Sequence, residues 1–326
     1  MKKVLSLVLL ITLCCANSLP AQGLFSLFGG SDAKKAIRVK FVDGDESAKD
    51  EILLIKIKGV IQEADSEEGM PFKIEKDLFE NLRKDLEVVR KRKAVKAILL
   101  EINSPGGEVT ASDIVYQQLK KIQRETKKPV VAIIGTMGAS GAYYVACAAG
   151  RIVAHPTSII GSIGVLMQAM NLEELAKKVG LKAVTLKSEK TPMKDVLSPF
   201  KEITPEEREM LMTIINSIYD RFIDIVSESR KLRREEVIKI ADGGIFTAAR
   251  AKELGLIDAI GYREDAIAEA CEMAKIDNAA LVKRVTQKGI SEIISEMSSM
   301  SSGVPALRSE IRNLLLNGIT PVLLFK

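Results

Sequence analysis

The chain has 326 residues, 47% of them hydrophobic, which is enough to bury one large core or two modest ones. Its formal charge is only +5, two of those charges are Lys2 and Lys3, and the remaining basic residues are interleaved with acids, so nothing points to nucleic acid as a partner. Beyond the first 21 residues only Cys147 and Cys271 remain; two thiols so far apart make no disulfide framework and read as free and buried.

Residues 1–21 read as an export signal or an N-terminal membrane anchor, because Lys2-Lys3 precede the apolar run from Val4 to Ala16. Ala16 and Ala21 are both possible cleavage sites, while retention as an anchor is supported by Leu24-Phe25 and Leu27-Phe28. The run is shorter than the roughly 20 residues of a full membrane span. Residues 22–50 are charged and small, which suits a stalk.

Order is expected from Glu51. Ile52–Ile57 reads as a strand, and Leu78, Leu82, Leu86 and Val89 share one face of a helix. Then follow a strand over Ala97–Ile102, a helix around Ile114–Ile122, a strand over Val130–Ile134, a helix from Ser140 and a strand over Arg151–Ala154. Such alternation predicts an α/β domain over 51–283 with a mainly parallel sheet between helical layers. Further helices are expected over Leu172–Val179, Glu206–Arg230 and Arg234–Ile240. Residues 284–326 read as an extension with a Ser-rich linker and an apolar tail, fit for a membrane surface or another subunit.

Ser140 follows the apolar strand Val130–Ile134 within Gly138-Ala139-Ser140-Gly141, the pattern by which a fold lifts a hydroxyl into a cleft at a strand-to-helix turn. Asn103-Ser104-Pro105-Gly106-Gly107 follows the preceding strand and emerges at the same carboxyl edge, where the N–H groups of Gly106, Gly107 and Gly141 are placed to receive an oxyanion. The chain has one histidine, His155, next to a proline past a strand, so the base is sought among lysines. A lysine acts as a base near neutrality when dry surroundings lower its pKa from about 10.4. Lys187, Lys190 and Lys194 are the candidates, the last flanked by Met193, Val196, Leu197 and Phe200. Ser162, in the apolar stretch Ile159–Leu166, offers a hydroxyl partner to a neutral amine or to its own backbone.

Five segments together resemble the signal peptide peptidase A family of membrane-associated serine proteases, in its short single-domain form. They are Asn103–Gly107, Met137–Tyr144, Ile160–Val165, Met193–Pro199, and Ile240–Thr247 with Ala251–Asp258. The resemblance runs from Ile52 to Ala270. It implies the fold of the Clp protease subunit and the crotonases, with repeated ββα units, and a serine–lysine dyad without metal or cofactor. In this sequence Ser140 would be the nucleophile, Lys194 the general base and Ser162 the hydroxyl that orients it. Gly107 and Gly141, with Gly106, would form the oxyanion site, and Ile160, Gly161 and Val165 would line a groove for small or apolar side chains. It further implies a homo-oligomeric ring at the outer face of a membrane, acting on remnant signal peptides and other extended apolar peptides. Two features differ from the family pattern: His155 replaces a smaller polar residue, and a longer stretch before Lys194 leaves Lys190 as an alternative base. A crotonase-like acyl-CoA enzyme and a non-catalytic membrane scaffold are the rival readings.

Overall fold

Runs of aliphatic residues with no polar alternation need cover on both faces, and three of them make the centre of the sheet. They are β2 (Glu51–Lys58), β3 (Val95–Ser104) and β4 (Val130–Ala139), parallel to one another, with Leu54 opposite Leu99 and Leu99 opposite Val131. The computed structural model describes residues 38–63 and 78–285; the expectations for the export signal and the C-terminal tail lie outside them. The chain divides after Arg38, and every described strand and helix belongs to the unit that begins at Val39.

The remaining strands among the described residues are β1 (Val39–Gly44), β5 (Arg151–Ala154), β6 (Ile159–Gly161), β7 (Ile245–Thr247), β8 (Ala259–Ile260) and β9 (Ala280–Arg284). The main path runs β1-β9-β2-β3-β4-β5-β8, and β6 joins β4 to the antiparallel β7. The sheet therefore takes in residues expected in the stalk: β1 pairs antiparallel with β9, so order begins before Glu51.

Helices cover both faces. Ile52, Leu54, Ala97, Leu99, Val131 and Ile133 pack with Ala266, Ile267, Ala270 and Cys271 of a helix over Arg263–Ala274. The intervening residues point to the opposite face, covered by α1 (Leu78–Lys91), α2 (Val109–Thr126) and α3 (Gly141–Ala146). After β6 the chain leaves the sheet for about forty residues, with only α4 (Glu173–Lys178) and a 3-10 turn (Pro192–Asp195). It returns through α5 (Pro205–Arg230), α6 (Arg234–Ile240) and α7 (Ala248–Glu253) before α8, the Arg263–Ala274 helix. Thr204 and Glu207 cap α5 reciprocally, which fixes where the 26-residue helix starts. Cys147 and Cys271 are free and buried, and burial pushes the Cys147 thiol up to about 12.

Candidate active site

The nucleophile candidate is set by a change of partner along β4. Val131–Ile134 pair with β5, whereas Met137–Ala139 pair with β6, so the strand's last residues run past the end of β5. Ser104 of β3 stands opposite Gly138, which brings the turn at Gly106-Gly107 beside Ser140. Ser140 then turns from strand into α3 with φ 53° and ψ −126°, outside the regions a residue with a side chain ordinarily occupies. Its N–H donates to Gly161 O at 2.8 Å and its carbonyl accepts from Tyr144 N at 3.0 Å, so both sides of the bend are held.

Three glycines permit that bend. A Cβ on Gly138 would press on the Ile134 side chain at 2.9 Å, and one on Gly106 would lie 2.9 Å from Ser140 Cβ and 2.7 Å from Gly141 N. One on Gly141 would overlap Ser112 Oγ and stand 3.3 Å from Gly107 N. The N–H groups of Gly107 and Gly141 therefore border one small space, and among the described residues neither donates to a backbone carbonyl. Gly107 is itself fixed by a parallel bridge to Ile61: Ile61 N donates to Gly106 O at 2.8 Å and Glu108 N to Ile61 O at 2.7 Å.

A cavity of about 560 Å³ opens over Ser140, lined by Gly107, Ser162, Val165, Leu166, Tyr219 and Gly243 among others. A second, of about 30 Å³, lies beside it against Val109, Tyr144, Val165, Ile218 and Phe222. Tyr144 braces this wall: its hydroxyl donates to Asp113 Oδ1 at 2.5 Å, its ring meets Tyr116 edge-on at 5.4 Å, and Phe222 lies 5.1 Å away. Burial, then the Asp113 carboxylate, push the Tyr144 phenol above its ordinary value and keep it a donor. Tyr219 closes the far side, donating to Ala241 O at 3.0 Å.

The structure thus brings together Ser140, Ser162, Gly106, Gly107, Gly141 and Val165. Ser162 bends at φ 49°, and its N–H donates to Gly244 O at 2.7 Å. Ile160 does not line either cavity; it is fully buried in β6 between β4 and β7, because alternation along the strand turns it inward. Gly161 likewise lines neither and instead supplies the carbonyl that holds Ser140.

Lys194 stands apart. It is exposed in the 3-10 turn and lines neither cavity around Ser140, so the water-excluding neighbours expected from Met193, Val196, Leu197 and Phe200 are not assembled around it within one chain. Its lysine neighbours are engaged differently. Lys187 Nζ donates to Pro192 O at 2.6 Å and pairs with Asp195, and Lys201 pairs with Asp195 at 3.2 Å. The bond from Lys187, with that from Lys201, holds the Asp195 carboxyl below its usual range. Lys194 and Lys190 have no carboxylate partner among the described residues. His155 lies past β5, its ring bonded to Thr157 at 2.8 Å and edge-on to Tyr262, and lines neither cavity.

Sequence reasoning missed Ser112 and Tyr219. Ser112 stands five residues beyond Gly107 in α2, and Tyr219 sits on the far wall from α5. Position along the chain carries no sign of either; only the packing of α2 and α5 over α3 does.

Comparison with known proteins gives a match to the family described as Peptidase family S49 over residues 122–277. A protein named as a protease in Methanocaldococcus jannaschii is 42% identical over 203 residues, 62% of this chain and 63% of that one. One named as signal peptide peptidase SppA in Enterococcus faecium is 32% identical over 268 residues, 82% of this chain and 75% of that one. The chloroplast serine protease SPPA of Arabidopsis thaliana is 33% identical over 277 residues, 84% of this chain and 39% of its own. The chain spans less than two thirds of the archaeal and plant relatives.

Proposed function

The chain belongs to peptidase family S49, and from that premise we propose that it is a serine endopeptidase with Ser140 as nucleophile and Lys194 as general base. The observation that carries this reading is Ser140 itself, bent out of β4 at φ 53° into a cavity of about 560 Å³ beside the N–H groups of Gly107 and Gly141, which have no backbone acceptor among the described residues. Lys194 Nζ takes the proton of Ser140 Oγ as that oxygen attacks the peptide carbonyl. The carbonyl oxygen, now anionic, is received by the two N–H groups, and the proton passes from the lysine to the departing amine. Water then attacks the acyl-serine with Lys194 again as base, which regenerates the alcohol and frees the acid. These steps use an alcohol, an amine, amide donors and water, and none calls for a metal or cofactor.

Because Lys194 is exposed and lines neither cavity in its own chain, the base for each Ser140 comes from a second copy in a homo-oligomeric ring. The segment that carries it supports this. Leu166, Leu181, Val184 and Leu186 are 67–93% exposed, an apolar surface that a lone chain would leave in water. Docked against a neighbour, the segment would bury its own apolar residues and supply the dry surroundings that keep a lysine amine neutral. The substrates are extended apolar peptides such as spent signal peptides, met at the outer face of the membrane where residues 1–21 direct the chain. Among the described residues no helix is long and apolar enough to cross a membrane.

Cleavage of an extended apolar fluorogenic peptide tests the assignment. Ser140→Ala and Lys194→Ala each lower kcat by at least about 10³-fold, as loss of a nucleophile or its base does, and His155→Ala leaves it unchanged. Wild-type turnover by Ser140→Ala would overturn the reading.

A further inference from the structure

Ser112 is a hydroxyl in the wrong place for a structural role. It lies in the first turn of α2, is 1% exposed, and among the described residues its Oγ has no hydrogen-bond partner. Helical serines commonly bond back to the carbonyl four residues earlier, yet Glu108 O takes only the Ser112 N–H, at 3.0 Å. A buried polar atom left alone destabilises a fold, so an alanine here would serve the core better.

Its surroundings are those of the reacting oxygen. The point where Gly141 would carry a Cβ lies against Ser112 Oγ and 3.3 Å from Gly107 N, so three unpaired polar groups adjoin one spot: two backbone N–H groups and this hydroxyl. The other side chains around the 30 Å³ cavity there, apart from Ser140, are Val109, Tyr144, Val165, Ile218 and Phe222, with the Tyr144 hydroxyl already committed to Asp113. The space is enclosed by rings and aliphatic groups, the setting in which a donor stabilises developing charge most.

We propose that Ser112 is a third donor to the oxyanion at Ser140, its hydroxyl finding in the tetrahedral intermediate the partner it lacks among the described residues. This rests on Ser140 being the nucleophile. A hydroxyl hydrogen rotates to follow its acceptor, and Gly141, lacking a side chain, leaves the path between Ser112 and the incoming oxygen open.

The test compares the full-length wild type with Ser112→Ala, reading kcat and KM on a fluorogenic peptide, inhibition by a peptide boronate that adds to serine as a tetrahedral adduct, and melting temperature. The expected result is a fall in kcat of about 10²-fold with KM within about twofold, a comparable loss of boronate affinity, and a melting temperature unchanged or raised. Wild-type kcat and boronate affinity in Ser112→Ala would overturn the proposal. If that variant melts early, Ser112→Cys, near in size but a poor donor, replaces it: lowered kcat at unchanged melting temperature supports the donor role, and unchanged kcat ends it. A boronate that fails to inhibit the wild type removes the Ser140 assignment first, and this proposal with it.

Discussion

Ser140 holds a left-handed backbone that costs a residue with a side chain about 1–3 kcal/mol, and the surrounding chain keeps it there by hydrogen bonds on both sides and by glycines where other residues would collide. Gly107 is the least replaceable of these. It sits at φ 157°, and a Cβ there would run into the Ile61 backbone, which the parallel bridge to Gly107 holds in place. Gly107→Ala should therefore displace one oxyanion donor and lower kcat by about 10²–10³-fold, measured on the same fluorogenic peptide, with a drop in melting temperature as the bridge strains. At this scale the sequence is most legible where local order decides the outcome. Small residues after an aliphatic strand announce the bend at Ser140, and Pro105-Gly106-Gly107 announces the turn beside it. Ile160 and Ser112 were not legible, since which side of β6 or α2 meets the cavity depends on packing between distant segments.

At the scale of elements, the site depends on α3 being fixed to its neighbours although it is only six residues long. Tyr143 anchors it on one side through a 2.7 Å bond from its hydroxyl to Leu256 O, and Tyr144 anchors it to α2 and α5 on the other. The far end of α5 is tied down by Arg230, which bonds Asp258 Oδ2 and Gly255 O, each at 2.9 Å. Burial alone would raise the Asp258 carboxyl, but Arg230 and the Ile152 N–H outweigh it and hold the group below its ordinary value. The stability from this pair is therefore fully present above the unfolded-state value near 3.9 and is lost as pH falls through the lower folded value. Asp258→Asn should cost about 3 kcal/mol at neutral pH, because it leaves the Arg230 charge buried. Urea melts across pH 2–7 should show a flatter acid limb in this variant. Elements with strong hydrophobic runs, β2 to β4 above all, were legible in the sequence. β1 was not, because an edge strand bonded on one side needs no such run, and Val39–Gly44 has its apolar residues split by charge. Nor was α8, whose buried face of Ala266, Ile267, Ala270 and Cys271 carries little periodic contrast.

At the scale of the whole molecule, one chain presents Ser140, the proposed nucleophile, at a cavity and Lys194, the proposed base, exposed on a segment with an apolar surface. Local sequence marks both residues but not their separation, which the fold sets, nor the neighbouring copy that the proposed function calls on to close it. Under the proposed function a closed ring of identical copies resolves the two, each copy lending its Lys194 to the Ser140 of the next. Mixing Ser140→Ala chains with Lys194→Ala chains, each inactive alone, and letting them co-assemble measures this directly. Sites that draw the intact serine from one variant and the intact lysine from the other should restore about a quarter of the wild-type rate in an equal mixture. Mixed rings that form and remain inactive would contradict the account.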